Sequence, residues 1–234
     1  MKRRFFACHI AAALLILSWV IPGGQTLWHH IDRACYDLLS PLLTSDRPVR
    51  LFWAFWNSRV ADWLHDVVIA LFFARYIISG PKRRRFAEMV TAVAIGIASI
   101  TVVNHADFLR FDKESPAKLF DLPHLAKETP GLSFNEISSS SFPSDHAVTG
   151  ILFAAVIAIL MGRRAGAIAA LYAIAFFALP RLTIGGHWLS DIVVGSGSIA
   201  LIIIGWCYGT PFATRIADGI EWLIARTYEP TQSQ

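Results

Sequence analysis

Two segments of the chain carry residues whose types and spacing suit phosphoryl transfer. In one of them Asp191 follows His187 by four residues, so on a helix the two side chains would share a face. Asp191 can accept a hydrogen bond from one ring nitrogen of His187, which leaves the other nitrogen as a nucleophile. Arg181 lies six residues before His187, across the Gly185-Gly186 pair, and its planar guanidinium matches two phosphate oxygens. The spacing predicts a histidine nucleophile beside a phosphate-binding arginine.

The other segment, Ser138–His146, contributes a second histidine. His146 could protonate the leaving group of a phosphoryl transfer. Both segments run directly into long apolar stretches, and the N-terminus of a helix attracts phosphate. Taken singly, an interfacial histidine is often only solvated, an aspartate often favours a helix start, and an arginine often anchors a membrane edge. The conjunction of all four side chains favours an active site.

The apolar composition indicates what positions these residues. The chain has 234 residues, of which 55% are hydrophobic and 16% charged, whereas soluble domains average about 25% charged residues. The apolar residues form runs that approach the length needed to cross a bilayer. We predict an all-α, polytopic membrane protein of one domain, residues 1–234, with six transmembrane helices in a bundle. The predicted spans are 5–21, 60–79, 87–109, 147–162, 165–180 and 191–210.

Two details of this topology have alternatives. The short spans 147–162 and 165–180 could form one re-entrant hairpin, although Gly162-Arg163-Arg164 between them is typical of a tight charged turn. The first span could be a cleaved signal peptide, but it lacks an Ala-x-Ala-like cleavage site, which favours a retained helix. The segment after Pro211 has the spacing of an amphipathic helix on the inner membrane surface.

Basic residues predict the orientation. They cluster at alternate ends of the spans, and placing every cluster in the cytoplasm satisfies the positive-inside rule. Both termini are then cytoplasmic, while loops 22–59, 110–146 and 181–190, which hold both chemical segments, face outward. The net charge of +4 is explained by anchoring to the inner leaflet and indicates no nucleic-acid partner. The clusters are Lys2-Arg3-Arg4, Lys82–Arg85, Arg163-Arg164, and Arg215 with Arg226.

The two segments resemble the second and third motifs of the type 2 phosphatidic acid phosphatase superfamily, Pro-Ser-Gly-His and Ser-Arg, five residues, His, three residues, Asp. The resemblance implies a six-helix membrane bundle, an outward-facing site and a phosphohistidine mechanism without metal or cofactor. It also implies the residue roles: His187 as nucleophile, Asp191 as its orienting partner, His146 as general acid, and Arg181 and Ser144 as phosphate ligands.

The sequence also resembles one branch of that superfamily, the lipid A phosphotransferases, over nearly its whole length. The resemblance implies transfer of the terminal phosphate of undecaprenyl pyrophosphate to the 1-phosphate of lipid A. It implies lipid substrates and the bacterial inner membrane as the location. The similar stretches are Leu17–Pro22, Asn57–Arg59 with Asp62, Asn104, Lys113–Pro116, Ser141–His146 and Phe177–Ser196.

Departures from the superfamily pattern concern charge. The first motif, Lys, six residues, Arg-Pro, is reduced here to Lys113 followed closely by Ser115-Pro116, so its arginine is missing. Lys113, Arg110 or Lys118 could supply the cation. Asp145 replaces the glycine before His146 and adds a carboxylate beside the phosphate. A site with fewer cations suits a pyrophosphate donor, because its leaving group is a phosphate rather than an alkoxide.

Another group of ionisable residues lies at the outer end of the second predicted span. We expect Arg59 and Asp62 to help hold a lipid headgroup, although Asp62, His65 and Asp66 could simply be hydrated there. No third ligand for a metal is identifiable. Two functional alternatives stay open: hydrolysis of undecaprenyl pyrophosphate or a similar lipid phosphate, and lipid binding without catalysis. The four chemical residues argue against the second.

Overall fold

The computed structural model describes residues 2–106, 111–120, 125, 129, 131–133 and 137–228. Within them the chain forms nine helices of ten or more residues and one isolated antiparallel bridge, between Phe111 and Phe142. The all-α prediction is confirmed. The helices are α1 Lys2–Val20, α2 Pro22–Leu39, α3 Arg47–Trp56, α4 Arg59–Ile78, α5 Lys82–His105, α6 Asp145–Met161, α7 Arg163–Thr183, α8 Asp191–Gly209 and α9 Phe212–Tyr228.

Four helices in the described part of the chain, α1, α5, α7 and α8, are long and apolar enough to cross a membrane. Helix α4, with 20 residues, is long enough to cross a membrane, but it carries four charged residues, Arg59, Asp62, Asp66 and Arg75. Helix α6 is apolar but has only 17 residues. The polytopic membrane architecture is therefore confirmed, whereas the count of six spans stays a prediction.

The segments 147–162 and 165–180 form two separate helices, α6 and α7, which meet at Gly162. Helix α7 is longer than predicted and ends at Thr183, after a π-helical stretch at Ala173–Ala178. π-Helical turns often occur beside functional sites. Here the stretch ends three residues before Arg181.

The predicted outer loop 22–59 is largely helical. Helices α2 and α3 occupy most of it, and the short 3₁₀ turn Ser40–Leu43 joins them. Their apolar residues are interleaved with charge, so neither has the continuous apolar run that marks a membrane span. Helix α2 packs against α1 and the end of α7 and buries Asp32. The sequence analysis therefore underestimated the folded part of the outer face.

The core lies around α6. One cluster, which includes Phe73, Phe153 and Ile157, joins α6 to α4, α5 and α7. A second cluster, which includes Val103, Val148 and Ile204, joins α6 to α5 and α8. Because α6 is buried on several sides, the residues at its N-terminus, Asp145 and His146, are held by the whole bundle.

Helix α1 packs antiparallel along α8. Near its start, the Phe5 ring lies 5.1 Å from the Trp206 ring, and further along Leu15 contacts Gly197. The basic ends of α1 and α5 lie at the same end of the bundle: Arg4 donates to the carbonyl of Tyr208, near the end of α8, at 3.3 Å, and Arg84 of α5 pairs with Asp218 and Glu221 of α9. The predicted helix after Pro211 is confirmed. His146 and His187 lie at the other end of the helices.

Candidate functional site

The two chemical segments meet where α6 and α8 begin. The hydroxyl of Ser196 donates to the carbonyl of Ser144 at 2.7 Å and accepts from the Ser144 N–H at 3.1 Å. A Cβ on Gly195 would stand 2.9 Å from the ring of Phe142 and 3.0 Å from Cβ of Pro143. Only glycine permits this approach. It fixes the segment that leads to His146 against the helix that follows His187.

His187 lies in the turn between α7 and α8, and not on the helix itself. The prediction that His187 and Asp191 share a helix face is therefore wrong. The predicted Gly-Gly turn is confirmed: Gly185 has φ 73°, and the N–H groups of Gly186 and His187 both donate to the carbonyl of Arg181. That turn brings the imidazole back toward the segment before His146.

A backbone carbonyl holds His187, the predicted nucleophile. Nδ1 of His187 lies 2.7 Å from the carbonyl oxygen of Ser141, and a carbonyl can only accept, so Nδ1 carries the hydrogen. Asp191 Oδ2 is 3.8 Å from the same nitrogen, too far for a hydrogen bond. The predicted hydrogen bond from His187 to Asp191 is not made. The consequence expected from it is still obtained, because Nε2 keeps its lone pair.

Asp191 is fully buried and has other donors. Its Oδ2 accepts from the N–H of Trp188 at 2.8 Å, and its Oδ1 accepts from Nζ of Lys113 at 2.9 Å. The carboxylate therefore ties together the turn that carries His187, the start of α8 and residue 113. It also places a negative charge near the imidazole without bonding to it.

The ammonium of Lys113, predicted to bind phosphate, lies between two carboxylates. Nζ contacts Asp191, Asp32 Oδ2 at 3.0 Å and Ser190 Oγ at 2.5 Å, and it lies 4.6 Å from the centre of the Trp19 ring. The structure thus brings Lys113 beside the nucleophile's neighbour. A phosphate contact for Lys113 stays a prediction.

His146 is held between two other carboxylates. Its Nδ1 lies 2.7 Å from Asp145 Oδ1 and its Nε2 lies 3.3 Å from Asp62 Oδ1. Burial opposes a charged ring, but the hydrogen bonds with Asp145 and Asp62 outweigh it and raise the pKa of His146 above its ordinary value. A raised pKa favours the protonated ring, which is the form that a general acid requires.

Arg181 has only 6% of its surface exposed and is positioned from α3 and α4. It donates to the carbonyl of Trp56 at 3.1 Å, to Oδ1 of Asn57, and to Asp62 Oδ1 at 3.4 Å. Asp62 is thus shared by Arg181 and His146. The sequence analysis had placed Asp62 at a lipid headgroup, and the structure brings it to these two predicted site residues.

The remaining predicted residues occupy varied places. Ser144 is fully buried and its hydroxyl caps α6, whereas Arg59 is exposed at the start of α4. Lys118 pairs with Glu114 at 2.7 Å, and Arg110 lies outside the described residues. The predicted phosphate or headgroup roles of these side chains stay predictions. Among the described residues no His, Cys, Asp and Glu side chains are grouped so that they could hold a metal ion.

A cavity of about 180 Å³ opens beside His146, between α4, α5, α6 and α7. Its lining is divided between charge and apolar surface. A phosphorylated lipid has the same division, with an ionised head and a hydrocarbon chain. The charged side includes Asp62, Asp145 and His146, and the apolar side includes Ile69, Ile100 and Phe177.

Comparison with known proteins agrees with this geometry. Residues 113–216 match the PAP2 superfamily. The chain is related to that superfamily. The lipid A 1-diphosphate synthase of Escherichia coli (strain K12) is 27% identical over 210 residues, which cover 89% of this chain and 88% of that protein. No solved structure matches the chain.

The PAP2 relationship predicted from the motifs is therefore confirmed, and the chain is an enzyme of the lipid phosphatase or phosphotransferase kind embedded in a membrane. The matched residues begin at Lys113 and include His146, Arg181, His187 and Asp191. Asp32, which the structure adds, and Asp62, which the sequence analysis assigned to a lipid headgroup, both lie before the matched region. The main-chain carbonyl of Ser141 lies inside it, but a motif cannot record a backbone acceptor.

The environment of His146 predicts a pH effect. In Asp145→Asn the amide oxygen can still accept from Nδ1, but it carries no charge, so the pKa of His146 should fall toward its ordinary value. Because the acid must be protonated, activity is lost as pH rises through that pKa, and the alkaline limb of the kcat/KM profile should move to lower pH. Asp218→Asn, at the opposite end of the bundle, should leave the limb in place. An unmoved limb in Asp145→Asn would count against His146 as the acid.

Proposed function

We propose that the enzyme moves the terminal phosphate of undecaprenyl pyrophosphate onto the 1-phosphate of lipid A, by way of phosphorylated His187. The carrying observation is the hydrogen bond from Nδ1 of His187 to the Ser141 carbonyl, which leaves Nε2 available as a nucleophile. The phosphate ligand and the acid that we propose, Arg181 and His146, both contact Asp62. The similarity to a protein named lipid A 1-diphosphate synthase supports the choice of lipids.

In the first half-reaction, Nε2 of His187 attacks the terminal phosphorus of the donor. A bond forms from nitrogen to phosphorus, and the bond from phosphorus to the bridging oxygen breaks. That oxygen leaves with the lipid monophosphate and takes the proton of His146, while Arg181 balances charge on the transferred group. In the second half-reaction a phosphate oxygen of the acceptor attacks the phosphohistidine, the nitrogen–phosphorus bond breaks, and neutral His146 accepts any proton that the acceptor releases.

The charge of the site supports a pyrophosphate donor. Asp62 and Asp145 both lie against His146, and Lys113 is paired with Asp32 and Asp191, so few positive charges are free to neutralise the transferred group. A phosphate monoester is a better leaving group than an alkoxide. The reaction therefore needs less charge neutralisation when the donor is a pyrophosphate.

We place the site on the periplasmic face of the bacterial inner membrane and both termini in the cytoplasm. Supporting this orientation, the basic start of α1 contacts the end of α8 and the basic start of α5 contacts α9, both at the end of the bundle away from His146 and His187.

A reporter that is active only in the periplasm tests this orientation. Fused after Gln234, it should be silent, because α9 pairs with the basic start of α5, at the end of the bundle that we place in the cytoplasm. Fused after Ser139, in the loop that leads to His146, the same reporter should be active. Activity of the Gln234 fusion would overturn the orientation.

The roles of the two histidines predict different losses. His187→Ala removes the atom that is phosphorylated, so both turnover and labelling of the enzyme by a terminally labelled donor should disappear. His146→Ala should slow turnover by less than the ~10²–10⁴-fold usual for acid catalysis, because the leaving group is good, and some labelling should persist. Rapid quenching without acid keeps the phosphohistidine for measurement. Equal and complete loss of label in both variants would contradict this division of roles, and inhibition by a chelator would contradict a metal-free mechanism.

Transfer and hydrolysis differ only in the acceptor. Acyl chains hold lipid A in the same leaflet as the site, which raises its effective concentration without strong ionic binding. We expect purified enzyme with terminally labelled undecaprenyl pyrophosphate to release inorganic phosphate slowly, and added lipid A to receive most of the label. Rapid release of phosphate at the same rate with or without lipid A would replace the transferase by a hydrolase.

A further inference from the structure

Asp32 is a buried carboxylate that the proposed mechanism does not use. It lies on α2 with 2% of its surface exposed. Its Oδ1 accepts from the N–H of Ser190 at 2.8 Å, and its Oδ2 accepts from the Ser190 hydroxyl at 2.6 Å and from Lys113 Nζ at 3.0 Å. The Asp32 carboxylate is thus hydrogen-bonded to Ser190, which immediately precedes Asp191.

These contacts form a continuous chain from α2 to the nucleophile. The ammonium of Lys113 donates to the carboxylate of Asp32 and, at 2.9 Å, to that of Asp191. Asp191 in turn accepts from the N–H of Trp188, the residue next to His187. Lys113 also acts through its backbone: its carbonyl accepts from the N–H and the hydroxyl of Ser141, whose own carbonyl holds His187. Both groups nearest to Nδ1 of His187, the Ser141 carbonyl and the Asp191 carboxylate, are therefore bonded to Lys113.

We propose that Asp32 and Lys113 are positioning residues for His187, with Asp32 supplying the counter-charge that keeps the Lys113 ammonium on Asp191. This assignment rests on the proposed function only in requiring a phosphorylated His187, whatever the lipid acceptor. It gives Lys113 a role distinct from phosphate binding. The contacts to two carboxylates and two indole rings support that role, because they surround the ammonium within the protein.

The charges make the proposal testable. Asp32, Lys113 and Asp191 together carry one negative charge, and a buried carboxylate that loses its partner is strongly destabilised. Lys113→Met leaves two carboxylates facing each other without a cation. Adding Asp32→Asn to that variant restores the native net charge. If Lys113 positions Asp191, the second substitution should recover activity; if Lys113 binds phosphate, it cannot.

The experiment uses the full-length enzyme in detergent and a terminally labelled, short-chain isoprenyl pyrophosphate, with water as acceptor. For Asp32→Asn we expect the rate of phosphoenzyme formation at saturating donor, measured within the first turnover, to fall about 10- to 100-fold, with the half-saturating donor concentration within about twofold, since a displaced nucleophile reacts slowly but substrate still binds beside it. As long as labelling stays faster than the slow release of phosphate to water, the final amount of phosphoenzyme per enzyme should stay close to the native value, whereas unfolding would reduce it.

Asp37→Asn is the matched control. Asp37 lies on the same helix as Asp32 but is about half exposed, where it pairs with Arg33 one turn away, at 2.9 Å. Its substitution should change neither rate nor labelling by more than about twofold, since exposed ion pairs contribute little.

The double variant decides between the two roles of Lys113. We expect Lys113→Met to be the slowest variant in phosphoenzyme formation, and Lys113→Met with Asp32→Asn to exceed it in that rate by about tenfold or more. A double variant no faster than Lys113→Met would overturn the proposal, as would an Asp32→Asn enzyme with the native rate of labelling, or a Lys113→Met enzyme that loses only affinity. Absence of label in the native enzyme would instead contradict the proposed function.

Discussion

The ammonium of Lys113 is stable inside the protein only because two carboxylates face it, and each carboxylate needs it in return. A buried charge without a partner costs several kcal/mol, so Asp32, Lys113 and Asp191 must arrive together. They come from three separate parts of the chain: α2, the segment after α5, and the start of α8. Helices α1 and α2 and the outer segment are thereby fixed to the turn that carries His187. The end of the bundle that carries His187 is ordered around that pairing.

From this pairing the geometry of the nucleophile follows. Residue 113 holds Asp191 through its side chain and Ser141 through its carbonyl, and the short bridge between Phe111 and Phe142 keeps the two segments in register. Ser141 then has one carbonyl lone pair directed at His187. A main-chain acceptor is a good orienting group, because the whole segment defines its position. The negative charge of Asp191 remains near the ring, where it can stabilise the cation that forms whenever the imidazole is phosphorylated or protonated.

Much of this architecture is predictable from sequence, and the failures have physical reasons. Long apolar runs predict membrane helices because the bilayer fixes both length and composition, and α1, α5, α7 and α8 follow that rule. Helices α2 and α3 were missed because their stability comes from packing on other helices rather than from a continuous apolar run. The motif spacing identified Arg181, His187 and Asp191, but it assumed a helix where the chain makes a glycine turn. Asp32 and the Ser141 carbonyl have no local signal, since their significance arises from contacts across more than forty residues of sequence.

The pairing of carboxylates with Arg181 and His146 also affects how a phosphate could bind in this site. Asp62 accepts from both Arg181 and His146, and Asp145 accepts from His146 on its other side. A phosphate that binds between Arg181 and His146 competes with Asp62 for the same donors, so ground-state binding of the anion is weakened. The hydrogen bonds with Asp145 and Asp62 also raise the pKa of His146, which favours the protonated form that a general acid needs. In the function that we propose, such a site would bind its substrate's phosphate modestly, rely on the membrane to concentrate lipid, and direct Arg181 to the transferred group. That arrangement suits a pyrophosphate, whose departing phosphate needs the least assistance.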